Sequence, residues 1–236
     1  MAEPKRLIFK VDGLEKAYSS NTVLKIRKLE IHPGTVYGLV GPVGSGKTTL
    51  LNLFAGCDIP TYGTVHFDNE PFKVNWRGKI LPNSEIFFTG DPNLLKPSSI
   101  ISRIIGNFHG KKSNVIQKRY FDSGHYKSMW DRTVRDLSPG EKRWLGLVLA
   151  IESDPRVLLI DDYGVYLNQS MEQKFRSQLK RMNRNLGTTM ILAAPSDNFL
   201  RKFASVIIHL DNGHVAKIRS GVPRRSPKHH QKRKRK

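Results

Sequence analysis
A chain of 236 residues with 38% apolar residues, 13 Pro and 19 Gly is long enough for one large domain with a substantial core. It has no run near the roughly 18 apolar residues that span a bilayer, no apolar stretch of signal-peptide length in Met1–Lys10, and one cysteine, Cys57, which excludes an internal disulfide or a Cys-rich metal site. Together these point to the cytosol, and the net charge of +20 favours contact with something anionic, a lipid surface or nucleic acid.

Arg6 to Val11 reads as a strand, Ser19-Ser20-Asn21 as a turn, and Val23 to Ile31 as a second strand. Tyr18, in the first turn region, has two readings: a half-buried packing residue, or a ring on which an adenine stacks. His32-Pro33-Gly34 turns the chain into a buried strand, Thr35 to Val40. Next comes Gly41-Pro42-Val43-Gly44-Ser45-Gly46-Lys47-Thr48, followed by Thr49. This is a complete G-x-x-x-x-G-K-T loop. Its glycines let backbone N–H groups curl around a phosphate. Lys47 reaches the β- and γ-phosphates, Thr48 ligates Mg²⁺, and the helix that starts here (through Ala55) adds its positive end. Cys57, just past that helix, reads as a small packed residue.

Pro60 to Gly63 is a turn, Thr64 to Phe67 a short strand, and Ile86 to Thr89 a further apolar strand. After a loop from Gly90 to Pro97, Ser98 to Arg135 is helical, with Ile100, Ile101, Ile104, Ile105 and Phe108 on one face. Lys111, Lys112, Lys118 and Arg119 form a solvated basic face. In Leu137-Ser138-Pro139-Gly140-Glu141, Ser138 is an N-cap, Pro139 suits the first turn, and Glu141 completes a capping box. That helix ends near Asp154-Pro155. Val157 to Ile160 is a buried strand ending in Asp161-Asp162. An acid there, in a chain with a phosphate loop, is the expected Mg²⁺-side carboxylate. Met171 to Asn185 is a helix with Arg176, Lys180 and Arg184 on one face, either solvated or docking an acidic partner. Thr188 to Ala194 is a strand and Asp197 to Phe203 a short helix. Val206 to Leu210 and His214 to Ile218 form a hairpin through Asp211-Asn212-Gly213. Past Gly221 apolar residues vanish. Residues 223–236 hold eight Lys or Arg and no acid, so 222–236 is expected to be a disordered basic tail.

Over about residues 6–218 the chain resembles the nucleotide-binding domain of ABC-type ATPases. Gly41 to Thr48 corresponds to the Walker A loop, Leu137 to Glu141 to the LSGGQ signature, Val157 to Asp161 to the Walker B strand, and Tyr163 to Asn168 to the D-loop. Tyr18 falls at the adenine-stacking aromatic. The resemblance implies an α/β fold: a P-loop NTPase core with a mostly parallel sheet, an antiparallel β subdomain, and a small helical subdomain at about 90–140 that carries the signature. It implies ATP and Mg²⁺ as ligands, and a head-to-tail dimer in which Ser138 and Gly140 contact the γ-phosphate held by the other copy.

Several positions depart from the family. Asp162 replaces the glutamate that serves as general base, which shortens its reach by about 1.5 Å. A misplacement of about 1 Å can cost roughly 100-fold in rate. Gly90 stands where the Q-loop glutamine is expected, with Asp91 beside it as a possible Mg²⁺ ligand. The switch histidine falls at Pro195 or Ser196, Pro139 replaces a signature glycine, and Asn168 replaces the D-loop aspartate. The expected catalytic set is therefore Asp162, Asp161, Lys47 and Ser196. The combination predicts tight Mg-ATP binding with slow hydrolysis. By the resemblance, the chain serves a transporter or another membrane complex at the cytoplasmic face, docking an integral-membrane subunit near residues 89–135. It pairs with a second copy or with another ABC ATPase, one version of which makes it a nearly inactive scaffold. The alternative is a soluble nucleotide-switched protein held on RNA or DNA through its basic tail.

Overall fold
A computed structural model describes residues 6–221. The basic tail, 222–236, lies outside the described residues. Two sheets carry the fold. The first is antiparallel and has the order β2-β1-β4-β5: β1 is Phe9–Tyr18, β2 Asn21–Ile31, β4 Tyr62–Phe67 and β5 Glu70–Pro71. The second comprises β3 (Val36–Val40), β6 (Ile86–Phe88), β7 (Val157–Ile160), β8 (Thr189–Ala194), β9 (Val206–Asp211) and β10 (His214–Ser220). Its order is β10-β9-β3-β8-β7-β6, parallel except for the β9–β10 hairpin.

The apolar runs in β3, β7 and β8 have no polar alternation because both faces of the parallel sheet are covered. Successive side chains point to opposite faces. Val36, Val40, Leu158, Ile160, Met190 and Leu192 pack into one core with the helices. Tyr37, Leu39, Val157, Leu159, Ile191 and Ala193 pack into a second core, beneath the antiparallel sheet and α1 (Lys47–Ala55).

The helical part consists of α2 (Ile101–His109), α3 (Ser113–Tyr120) and short 3-10 turns at Gly124–Met129 and Val134–Asp136. These lead into α4 (Pro139–Glu152), and α5 (Gln169–Leu186) packs beside α4. Trp144 of α4 is the anchor: it stacks on Tyr126 at 4.0 Å and meets Phe121 edge-on at 5.2 Å. This aromatic cluster sets where α4 begins relative to the sheet.

Five local expectations need correction. Tyr18 is the last residue of β1, not part of a turn, and β4 already starts at Tyr62. Asp197 to Phe203 forms only a three-residue 3-10 turn, Leu200–Lys202, and the Asp197 side chain pairs with Arg201 and Arg219. Arg176 is no solvated charge, since it pairs with the buried Glu172 at 3.3 Å. Cys57 is exposed, not packed.

Candidate functional site
The phosphate loop links β3 to α1, as the spacing predicts. A Cβ on Gly41 would lie 2.2 Å from the Leu210 carbonyl, and Gly46 caps α1 with φ +93°, so neither position accepts a side chain without strain. Val43 projects from the tip and is 95% exposed. Lys47 is buried, and its Nζ donates to the Gly41 and Pro42 carbonyls, each at 2.8 Å. Burial pulls its pKa down, opposed by the Asp161 and Asp162 charges. A phosphate offered to Lys47 thus meets an ammonium short of counter-charge.

Asp161 stands at the end of β7, next to β8 in the sheet, and Thr48 in the first turn of α1. The Thr48 hydroxyl donates to Asp161 Oδ2 at 2.8 Å, and the Asp162 N–H donates to Asp161 Oδ1 at 3.1 Å. The Asp161 N–H in turn donates to Thr89 Oγ1 at 3.2 Å. Burial pushes the Asp161 pKa up despite these donors. A hydroxyl and a carboxylate in contact are hard oxygen donors that fit Mg²⁺. Among the described residues no group of three or more His, Cys, Asp or Glu could hold a metal. That suits an ion that takes one or two protein oxygens and fills its shell from phosphate and water. Asp91 does not join them: it accepts from the Asn93 N–H at 2.8 Å and from the Asn93 amide, and it lies near Cys57.

Tyr18 is 47% exposed, so its ring is open on the surface, and its hydroxyl donates to Asp58 Oδ2 at 2.6 Å. Lys16 grips the other Asp58 oxygen at 2.6 Å and sits 4.7 Å from the ring centroid. Burial, then the bond to Asp58, pushes the phenol up to about 12, so it stays neutral. Asp58 and Lys16 carry no motif, and sequence reasoning did not single them out.

Ser138 and Glu141 form the expected capping box: the Ser138 N–H donates to Glu141 Oε2 at 2.6 Å and the Glu141 N–H to Ser138 Oγ at 3.2 Å. Ser138 and Pro139 are exposed, and Gly140 is partly so, which leaves the positive end of α4 facing outward. In the same chain Ser138 and Gly140 share no hydrogen bond with the phosphate loop.

A family model described as ABC transporter matches residues 24–163, more than half of the chain. The chain belongs to the ABC transporter family. Two curated relatives illustrate the likeness. The spermidine/putrescine import ATP-binding protein PotA of Mesoplasma florum is 26% identical over 226 residues, which is 92% of this chain and 62% of the relative. The Nod factor export ATP-binding protein I of Cupriavidus metallidurans is 28% identical over 224 residues, 92% of this chain and 71% of the relative. The chain thus spans 62% of the length of that PotA. A solved structure, the dimeric post-hydrolysis state of the ATP-binding cassette MJ0796 bound to ADP and Pi, matches with a TM-score of 0.75 at 23% identity, covering 91% of this chain and 99% of that one. The fold is that of an ABC ATPase cassette: the parallel core, antiparallel β subdomain and helical arm are all present.

Within this ABC cassette the departures acquire physical reasons. A Cβ at Gly90 would lie 2.5 Å from the Phe88 ring, so that ring occupies the space a Q-loop glutamine needs. Ser196 is exposed just past β8 and, among the described residues, makes no hydrogen bond to Asp161 or Asp162. Asn168 caps α5 by accepting from the Met171 N–H at 2.9 Å. Asp162 has φ +52° and accepts from Arg143 of α4 at 2.6 Å. No motif flags Arg143. No helix of the described chain is long and apolar enough to cross a membrane.

Proposed function
We propose that the chain is the ATP-binding subunit of an ABC transporter or related membrane complex, and that it binds Mg-ATP tightly and hydrolyses it slowly. The Thr48–Asp161 contact beside the Lys47 loop is the observation that carries this reading. Gly41 to Thr49, apart from Pro42, supply backbone N–H groups and Lys47 the charge. Thr48 and Asp161 hold Mg²⁺, which screens the phosphates, and Tyr18 offers its ring to the adenine. Asp162 accepts a proton from the attacking water, at the cost of reach that a shorter acid brings. Ser196 is exposed and short for the part a histidine plays, so it contributes little.

Two copies pair head to tail, each presenting Ser138 and Gly140 to the other's nucleotide. The exposed Val165 and Tyr166 beside that helix end favour such a contact, since Tyr166 Cβ lies 3.8 Å from where a Gly140 Cβ would be. A membrane subunit fits the cleft of about 470 Å³ between the end of α1 and the 91–93 loop, lined by Gly56, Ile59, Ile80 and Pro92. The cleft supports docking at the start of the 89–135 segment, with α1 as the second wall.

A photo-crosslinker at Ile59 tests the membrane role. It is expected to capture an integral-membrane protein in native membranes. Exclusive recovery of the chain on nuclease-sensitive, salt-labile complexes contradicts it and favours the RNA- or DNA-bound alternative.

A further inference from the structure
Asp162 is not free to act. Its Oδ2 accepts a charge-assisted hydrogen bond from Arg143 Nη2 at 2.6 Å, and among the described residues no other side chain holds it. Its backbone sits in the left-handed region, φ +52°, where a non-glycine residue is held by its surroundings. Arg143 lies five residues after Ser138 on α4, the helix whose exposed end carries the signature. The same helix touches this turn elsewhere: Gly140 abuts Tyr166, and a Cβ at Gly146 would lie 3.8 Å from Thr89, whose Oγ1 accepts from the Asp161 N–H. Both partners are about one-third exposed, 33% and 38%, so the pair adds little to stability. Its consequence is directional. The Asp162 oxygen bonded to the guanidinium is turned toward α4 and has its lone pair engaged there, not toward a water.

We propose that Arg143 positions Asp162. In the single chain it holds the carboxylate against the signature helix. It releases Asp162 to water when that helix is drawn onto the nucleotide of a second copy. On release a water proton passes to Asp162 as the water oxygen bonds to the γ-phosphorus. The bond from that phosphorus to the β–γ bridging oxygen breaks with its electron pair on ADP, and the proton returns to solvent. Hydrolysis at one nucleotide then waits for the same chain's signature to engage the other, so one ion pair joins the two half-sites. This inference rests on the reading of Asp162 as the general base.

The test compares wild type, Arg143→Gln, Arg143→Lys and Asp162→Asn. It measures dimerisation with a non-hydrolysable ATP analogue by sedimentation, and phosphate release per chain across protein concentration. Arg143→Gln is expected to dimerise at a concentration about threefold lower, because no exposed ion pair has to open. Its gain in phosphate release is expected to be largest at the lowest protein concentration. Arg143→Lys is expected to follow wild type. Arg143→Met keeps the aliphatic stem and serves as a second uncharged variant should the glutamine variant fold poorly. Uncharged variants that dimerise no more readily, or that hydrolyse as poorly as Asp162→Asn at every concentration, overturn the positioning role. Wild-type turnover by Asp162→Asn overturns the base assignment instead, which separates the two failures.

Discussion
Thr48 and Asp161 meet at 2.8 Å although 113 positions separate them in the chain. That meeting has a thermodynamic cost. Burial raises the Asp161 pKa, so the folded chain binds this proton more tightly than the unfolded chain does. The sign follows from linkage: stability tied to this group is highest where Asp161 is protonated and falls as pH rises from the unfolded carboxylate pKa through the raised folded one. Asp161→Asn is therefore expected to stabilise the nucleotide-free chain near neutral pH, by no more than about 1 kcal/mol. The same change should remove the Mg-ATP-dependent rise in melting temperature that a bound ligand gives. A variant that keeps that rise contradicts the metal role. Tyr18 separates ring from hydroxyl. Tyr18→Phe should keep ATP affinity and lose about 1 kcal/mol with the Asp58 bond. Tyr18→Ala should weaken ATP binding roughly tenfold, which fluorescence titration measures. Equal affinities in the two variants contradict a stacking role.

Among the elements, α4 ties the signature to the fold, and Glu141 secures its start. Burial works against the Glu141 charge, but the Ser138 backbone and hydroxyl, with His125 and Arg132, hold its pKa down to about 2. A depressed acid stabilises the fold above its unfolded pKa, near 4.5, and that contribution is lost as pH falls toward 2. Glu141→Ala is expected to cost about 1 kcal/mol at neutral pH and progressively less at acid pH, read from denaturant midpoints. A penalty independent of pH contradicts the account. The start of α4 was legible because a capping box is local chemistry: Ser, Pro and Glu at fixed spacing. The strands β3, β7 and β8 were legible because continuous apolar runs bounded by turns suit a sheet covered on both faces. What local chemistry cannot show is which partner a side chain meets once the chain has packed. Asp58 for Tyr18, Arg143 for Asp162 and Phe88 filling the space over Gly90 all arise from packing. Asp91, read as a metal candidate beside Gly90, accepts hydrogen bonds from Asn93.

For the whole molecule, the phosphate loop and the signature end of α4 share no hydrogen bond within one chain. On the proposed reading, one chain holds two halves of different sites, and a second chain completes each. The intact Walker A loop, Thr48 and Asp161 favour binding. On the proposed reading, Asp162, Gly90 and the exposed Ser196 weaken the handling of water. We propose that this cassette binds Mg-ATP firmly and that the short acid at 162 slows its hydrolysis. Single-turnover γ-phosphate release by the purified chain, beside Asp162→Glu, tests it most directly. The account predicts tight binding in both proteins, slow release by wild type, and release at least tenfold faster in the glutamate variant. Fast release by wild type that is lost in Asp162→Glu contradicts it, since the site has then been built around the shorter acid.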